Sequence, residues 1–177
     1  MEITIRQEIP KDYHVTEEVI RKAFLNEEFS DKKEHYLVKR IRKSNAFIPE
    51  LSLVAVNQKE DIVGNILLSK IQIVDGDQSV ESLALAPVSV IAEYQRLGIG
   101  SQLIEAALER AKELGYQSVI VLGHKDYYPR FGFKQANLWN IRAPFDVPNE
   151  VFMAIELFEG SLKNVQGIVK YSEAFNE

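Results

Sequence analysis

Two glycines stand where an apolar helical pattern begins, in the segment Gln95-Arg96-Leu97-Gly98-Ile99-Gly100. Glycine costs a helix interior about 1 kcal/mol relative to alanine, so a pair of glycines at a helix start needs a reason. A glycine-rich turn that opens a helix presents free backbone N–H groups beside the positive end of the helix dipole. Such a turn binds anions, above all phosphate, because glycine lets the backbone approach without a Cβ atom in the way. The alternative is a permissive turn that binds nothing.

The spacing excludes two common phosphate-binding loops. The ATP-binding P-loop needs a lysine after its last glycine, whereas Gly100 is followed directly by Ser101. The dinucleotide-binding loop needs a third glycine three residues after the second, where this sequence has Leu103. It also needs an acid at the end of the next strand, where the sequence continues with Gly123-His124. If this turn binds a phosphate, it therefore belongs to another kind of site.

The elements that must position the turn follow from the periodicity of the apolar residues. Strands are predicted at 2–8, 51–57, 62–74, 80–92, 118–122 and 150–158, and helices at about 12–26, 32–43 and 98–114. Either Asp12 or Thr16 is expected to cap the first helix. The strand–helix–strand unit at 80–122 needs a right-handed parallel crossover. We therefore expect one α/β (α+β) domain over residues 1–177, with a mixed sheet and helices on its faces.

Pro87 interrupts the strand that leads into the turn. Proline cannot donate a hydrogen bond to a sheet, so within a strand it indicates an edge or a bulge. An edge does not fit a strand with neighbours on both sides, so we expect a bulge at or near Ala86-Pro87. The bulge would splay the strand away from its parallel neighbour and open a cleft beside the phosphate site. Coenzyme A, with a pyrophosphate at one end and an extended amide-bearing arm, fits both features.

These residues resemble the GNAT acyltransferase superfamily. Its signature, Gln/Arg-x-x-Gly-x-Gly/Ala, is matched by Gln95 to Gly100, and YYPRFGF resembles its later Tyr-x-x-x-Gly-Phe signature, with Tyr128 at the usual tyrosine. The segments LAPVSVIAEYQRLGIG, VLGHKDYYPRFGF and GIVKYSEAF are similar to the YhbS-like bacterial branch of predicted N-acetyltransferases. Together the matches reach from about residue 83 to 175. The N-terminal half matches only in the order of its elements.

The resemblance implies a GNAT-like fold, in which a mixed, mostly antiparallel sheet contains a central splayed parallel strand pair and carries helices on both faces. It implies acetyl-CoA as cosubstrate, with the pantetheine arm pairing like an added strand with the backbone of Val88, Ser89 and Val90. The pyrophosphate would be held by the turn formed by Gln95, Arg96, Leu97, Gly98, Ile99, Gly100 and Ser101. Tyr128 would face the thioester sulfur. Many relatives carry an asparagine after the next strand, where this sequence has Gly123 to Asp126.

The reaction implied is transfer of the acetyl group to a neutral amine, which needs a base or a water relay because a primary amine is mostly protonated at neutral pH. Candidate bases are Glu81, His124 and Asp126, each of which has the alternative of being a solvated surface residue. Several aromatic residues are candidates either for an acceptor pocket or for the core: Tyr13, Phe24, Phe29, Tyr36 and Trp139.

Composition limits the partners. The 177-residue chain has a net charge of -5, no cysteine, no signal-peptide pattern and no apolar run long enough to span a bilayer. We expect a cytoplasmic bacterial enzyme that acts on a small-molecule or peptide amine, without nucleic acid, membrane or metal, with a homodimer left open. The alternatives are a non-catalytic coenzyme A-binding sensor or scaffold, and an acyltransferase that uses longer acyl groups or an amino-acyl donor.

Overall fold

A mixed sheet of nine strands forms the centre of the molecule in the computed structural model, which describes residues 2–27 and 30–176. The strands are β1 (Thr4–Gln7), β2 (Ser52–Val56), β3 (Ile62–Asp75), β4 (Gln78–Val90), β5 (Ser118–Leu122), β6 (Lys134–Gln135), β7 (Ile141–Arg142), β8 (Phe152–Glu156) and β9 (Gly167–Lys170). The helices of this part of the chain are α1 (Tyr13–Phe24), α2 (Glu34–Arg42) and α3 (Ile99–Glu113).

The sheet runs in the order β1-β2-β3-β4-β5-β8-β6, and β9 pairs with both β3 and β7. Most neighbouring pairs are antiparallel, and β4 and β5 form a parallel pair at the centre. The long hairpin of β3 and β4 turns at Gly76, whose φ of 60° suits the tight connection. The crossover from β4 to β5 passes through α3, so the predicted strand–helix–strand unit is present.

Helices cover both faces of the sheet because each presents an apolar stripe to it. On one face, Leu103 and Ala107 of α3 pack against Leu83 and Val119. On the other face, α1 and α2 bury a small cluster that includes Ile20, and the chain after β5 covers the neighbouring part of the sheet. The expected α+β sheet with helices on both faces is therefore confirmed.

A buried ionic network joins the two N-terminal helices to β1 and β2. The Arg42 guanidinium lies 2.7 Å from carboxylate oxygens of both Glu8 and Glu17, and the Ser52 hydroxyl donates to Glu8. Removing one partner of such a buried pair leaves an uncompensated charge, which destabilises a fold strongly. The network therefore fixes α1 and α2 against the strands that they cover.

The start of α1 differs from expectation. Asp12 stands just before the helix, but its carboxylate makes no capping bond to it and instead accepts hydrogen bonds from Arg6 and from the backbone N–H of Ile9. The bond from Arg6 is the main reason that the pKa of Asp12 is lowered. Thr16 lies inside the helix and is buried. Asp12 thus occupies the predicted N-cap position without making a capping bond, Thr16 does not cap the helix, and a short 3₁₀ turn at Pro10–Asp12 leads into it.

All the predicted strands and helices are present, with ends that differ by at most two residues. Three short strands, β6, β7 and β9, were not predicted. No helix among the described residues is long and apolar enough to cross a bilayer.

Candidate active site

The parallel strands β4 and β5 pair over only two positions, Leu83 with Val119 and Ala84 with Ile120. Just beyond them, the register of β4 against β3 shifts from Leu68–Leu85 to Ile66–Val88, so β4 carries one extra residue. The bulge lies at Ala86-Pro87, whose peptide bond is cis. Both the predicted bulge and the splayed strand pair are confirmed.

The splay leaves one edge of β4 open. The Ile91 N–H donates to the Val63 carbonyl, and backbone groups alternate in direction along a strand. The backbone N–H and C=O groups of Ile91 and Ser89 therefore point towards β3, while those of Val88 and Val90 point to the open side. The Val90 carbonyl accepts a hydrogen bond from the Gln95 side chain at 2.9 Å, which agrees with this orientation. The backbone groups of Val88 and the N–H of Val90 are therefore available to an extended ligand.

Ser89 has a different place from its two neighbours. Its carbonyl oxygen would lie 2.8 Å from a Cβ atom added to Gly64 on β3, and its hydroxyl donates to the Asn65 side chain. The backbone of Ser89 thus faces the neighbouring strand. Its contribution to the open edge is to hold β4 against β3.

The glycine-rich turn lies at the end of this open edge. After a 3₁₀ turn at Ala92–Tyr94, Arg96 and Gly98 adopt left-handed φ values of 65° and 83°, and α3 begins at Ile99. The Gln102 N–H bonds to the Gly98 carbonyl, so the N–H groups of residues 99–101 have no partner within the helix. Gln95, Arg96, Leu97 and Gly98 are all exposed. The predicted anion-binding turn therefore has the required geometry, with free N–H groups at a helix start.

Tyr128 begins a 3₁₀ helix that follows β5. Its side chain is buried, and its ring meets Phe133 and Tyr127 edge to face at 5.7 and 5.2 Å. Burial, with a smaller contribution from Tyr127, raises the pKa of Tyr128 to about 12. The hydroxyl therefore keeps its proton at neutral pH and has a hydrogen to donate there.

Gly123 is a site residue whose role the sequence did not predict. A Cβ atom at this position would lie 2.3 Å from Cε2 of Tyr128, so only glycine lets the ring pack here. The feature of the sequence that could have indicated this role is a glycine directly after the strand β5.

Tyr127 lies at the start of α3. Its hydroxyl is 3.5 Å from the Ser101 hydroxyl and would be 3.3 Å from a Cβ atom on Gly100. The guanidinium of Arg130 covers the Tyr127 ring, 4.8 Å from its centroid. The two consecutive tyrosines thus have different surroundings, one at the glycine-rich turn and one in the core beside Gly123.

Two cavities meet at Leu122, the last residue of β5. One, of about 910 Å³, lies on the face opposite α3 and includes Ala84, Ala86 and Ile120 in its lining. The other, of about 850 Å³, is lined mainly by residues 123–127 with Arg130 and Glu150. The splay between β4 and β5 is therefore flanked by open space.

The three candidate bases do not lie together in the structure. His124 and Asp126 both line the 850 Å³ cavity together with Tyr127. Glu81 lines neither cavity and lies on the exposed arm of the β3–β4 hairpin, opposite Gln72.

Of the aromatic residues proposed for an acceptor pocket, the four that the structure describes do not line the 910 Å³ cavity. Phe24 and Trp139 pack against buried clusters, the Tyr13 ring lies under Arg42, and Tyr36 is exposed beside His35. Phe29 lies outside the described residues. The aromatic residues that line the cavity are Phe145, Tyr171 and Phe175. Sequence periodicity did not indicate them, because they come from segments without a regular pattern.

The fold and the site define a class of protein. The model of the acetyltransferase (GNAT) family matches residues 14–133. The chain therefore belongs to the GNAT family, and the resemblance identified from its signatures is confirmed.

Several individual proteins are similar to it. The chain is 30% identical to the uncharacterized N-acetyltransferase YhbS of Escherichia coli K12, over 97% of this chain and 98% of that protein. It is 37% identical to the uncharacterized N-acetyltransferase YjhQ of the same strain, over 69% of this chain and 67% of that protein. Both relatives are bacterial proteins named as N-acetyltransferases, which agrees with the predicted YhbS-like bacterial branch.

Solved structures extend the comparison to bound ligands. The structure of E. coli YhbS in complex with CoA superposes with a TM-score of 0.89 at 27% identity, covering 100% of this chain and 93% of that one. A GNAT acetyltransferase from Brucella melitensis in complex with acetyl-CoA gives a TM-score of 0.81 at 30% identity, covering 99% of both chains.

Proposed function

We propose that this protein is an N-acetyltransferase that moves the acetyl group of acetyl-CoA directly to an amine acceptor. The observation that carries the proposal is the open edge of β4, which ends at the free N–H groups that start α3. An extended arm with a pyrophosphate at its end matches that juxtaposition. The CoA and acetyl-CoA complexes of the two solved relatives support the same ligand for this chain.

The binding roles follow from the backbone. Val88 and Val90 would pair with the amides of the pantetheine arm, while Ser89 keeps the strand attached to β3. The N–H groups of the turn from Arg96 to Ser101 would hold the pyrophosphate, because they combine donors with the positive end of the α3 dipole. A local device of this kind is needed, since the net charge of -5 repels an anion at long range.

The chemistry would proceed by attack of a neutral amine nitrogen on the thioester carbonyl carbon. The C–N bond forms and the C–S bond breaks, the nitrogen loses one proton to water or a base, and the sulfur gains one. Holding both reactants in one cleft removes much of the entropic barrier. An N–H at the bulge, such as that of Val90, would stabilise the negative charge that develops on the carbonyl oxygen.

Tyr128 would stabilise the departing sulfur. Its pKa of about 12 lies well above the ordinary thiol value of about 8.5. Complete proton transfer from tyrosine to a finished thiolate would therefore be uphill by roughly 5 kcal/mol. Tyr128 acts in this proposal mainly as a hydrogen-bond donor to the charge that develops on sulfur.

Two measurements test the proposal. Acetyl-CoA at about 100 times its Kd should stabilise the protein by about 2.7 kcal/mol, seen as a rise in Tm. Thiol release from acetyl-CoA in the presence of a panel of amines should exceed release in their absence. Binding without amine-dependent release would instead favour a coenzyme A sensor or scaffold. If neither CoA nor acetyl-CoA raises the Tm, the cofactor assignment is wrong.

A further inference from the structure

The 910 Å³ cavity lies across the sheet from Tyr128. Tyr128 packs in the core beneath α3, whereas Ala84 and Ile120, two of the sheet residues that line the cavity, belong to the core on the opposite face. The cavity meets the splay at Ala86 and Leu122. A molecule held there would approach a thioester in the splay from the side opposite the anion-binding turn.

Apolar side chains around this cavity remain exposed. Leu122, Phe145 and Ile168 are 46%, 46% and 43% exposed, although each is a large hydrophobic residue. All three line the same cavity. Exposed apolar groups gathered at one concave site mark a place where an apolar ligand gains by leaving water.

Aromatic rings form one wall. Phe145 and Tyr171 are nearly parallel, with ring centroids 6.1 Å apart and an interplanar angle of 13°. Phe175 adds a tilted ring 5.0 Å from Tyr171. Such a wall favours a flat or compact apolar group packed against it.

The charges in the lining disfavour a polar, multiply charged ligand. Among the described residues that line the cavity, Lys170 is the charged one, and none is an acid. A second ammonium group on a ligand would lose water here and gain no carboxylate in return. An uncharged apolar body has no such cost.

We propose, building on the acetyl transfer proposed above, that the acceptor is a small primary amine with an apolar, preferably aromatic, body and no second charge. The body would occupy the cavity walled by Phe145, Tyr171 and Phe175, and the amine would lie at the splay beside Ala86 and Leu122. Polyamines and other polycationic amines are then poor acceptors.

A matched pair of substrates tests whether a second positive charge on the acceptor is disfavoured. Hexylamine and 1,6-diaminohexane have the same chain length and differ by one ammonium group. With saturating acetyl-CoA, kcat/KM for hexylamine and for phenethylamine should exceed that for 1,6-diaminohexane at least tenfold. Equal values, or a preference for the diamine, would overturn the proposal.

A matched pair of variants tests the location. Phe145→Ala should raise KM for phenethylamine about tenfold and leave KM for acetyl-CoA and the Tm unchanged, because Phe145 is half-exposed. Phe158→Ala removes a phenylalanine of similar exposure, 37%, outside the cavity lining and serves as the control. Phe145→Glu should reduce the preference for hexylamine over the diamine. An equal effect of Phe145→Ala and Phe158→Ala would mean that the acceptor does not bind in this cavity.

Failure of this inference is distinguishable from failure of the proposed function. If acetyl-CoA binds but no amine is acetylated, the transfer proposal fails, and the cavity is then tested by calorimetric binding of the same amines to the protein–CoA complex. Phenethylamine binding that Phe145→Ala weakens and Phe158→Ala does not would support the ligand class. Absence of phenethylamine binding, or tighter binding of 1,6-diaminohexane, would overturn it.

Discussion

Tyr128 offers the sharpest test of chemistry at the level of one residue. Tyr128→Phe removes the hydroxyl and keeps the ring that packs against Gly123 and Phe133. If the hydroxyl stabilises developing charge on sulfur, turnover should fall by about 100-fold or more, with little change in acetyl-CoA affinity. Steady-state thiol release gives the turnover number, and calorimetry with acetyl-CoA gives the affinity.

The neighbouring tyrosine provides the comparison. Tyr127 lies at the start of α3 beside Ser101, so Tyr127→Phe should act mainly on acetyl-CoA binding and reduce turnover much less. Unchanged turnover in Tyr128→Phe would exclude its hydroxyl from the reaction. A large loss in Tyr127→Phe alone would assign the role to the other tyrosine.

Some roles of single residues could be predicted from the sequence and others could not. The position of Tyr128 followed from its signature, because Tyr-x-x-x-Gly-Phe is a local pattern. Gly123 was found only in three dimensions, since what forbids a Cβ there is a ring five residues later. The inward orientation of Ser89 depends on the register of β4 against β3, which spacing along one strand does not reveal.

The turn before α3 allows backbone and side-chain contributions to be separated. Gly98 has a φ of 83°, so Gly98→Val should strain the turn, even though among the described residues no atom beyond its chain neighbours lies within 4 Å of its Cβ position. Gly100 has an ordinary helical conformation, and Gly100→Val should mainly obstruct the pyrophosphate. If backbone N–H groups hold the ligand, Arg96→Ala should weaken acetyl-CoA binding less than either glycine variant.

Calorimetry at two salt concentrations is the measurement for this turn. An exposed Arg96 that helps only through its charge should matter less at high salt, because mobile ions screen it. The Tm of each variant distinguishes a strained turn from an obstructed site. Arg96→Ala as the most damaging of the three changes would contradict a cradle made of backbone groups.

Long periodic elements were predictable and short ones were not. α3 and β5 have apolar patterns strong enough to identify them, and Pro87 indicated the bulge on β4. β6 and β7 span two residues each, too few for any pattern. β9 is a strand because β3 and β7 lie on either side of it, which is a long-range effect.

At the scale of the whole molecule, the sheet divides the proposed reaction between its faces. The glycine-rich turn and Tyr128 belong with α3, whereas the aromatic wall of the cavity on the opposite face comes from the chain after β5. The aromatic residues that line it come from two separate segments near the C-terminal end, 145 and 171–175. No local pattern links them, so the proposed acceptor cavity could not be predicted from the sequence, whereas the bulge on β4 and the glycine-rich turn before α3 could.

Alkaline pH should weaken the whole fold through Tyr128, which is buried, and Tyr171, which is partly buried. Burial is the main cause that raises the pKa of both Tyr128 and Tyr171 to about 12, above the ordinary value of about 10. Below pH 10 both the folded and the unfolded chain keep these protons, so the contribution to stability is fully present. Between pH 10 and 12 the unfolded chain releases protons that the folded chain retains, and the free energy of unfolding therefore falls as pH rises.

Urea unfolding at pH 9 and pH 11 measures this loss, which should be on the order of 1 kcal/mol for each tyrosine at pH 11. The double variant Tyr128→Phe/Tyr171→Phe should lose less stability than the wild type over the same interval, because neither phenylalanine titrates. Tyr36→Phe is the control, since Tyr36 is 55% exposed and its replacement should leave the wild-type decline in place. Other groups that titrate in this range are common to all three proteins and cancel in the comparison. Equal declines in the wild type and the double variant would mean that these two hydroxyls are not held in their protonated form by the fold.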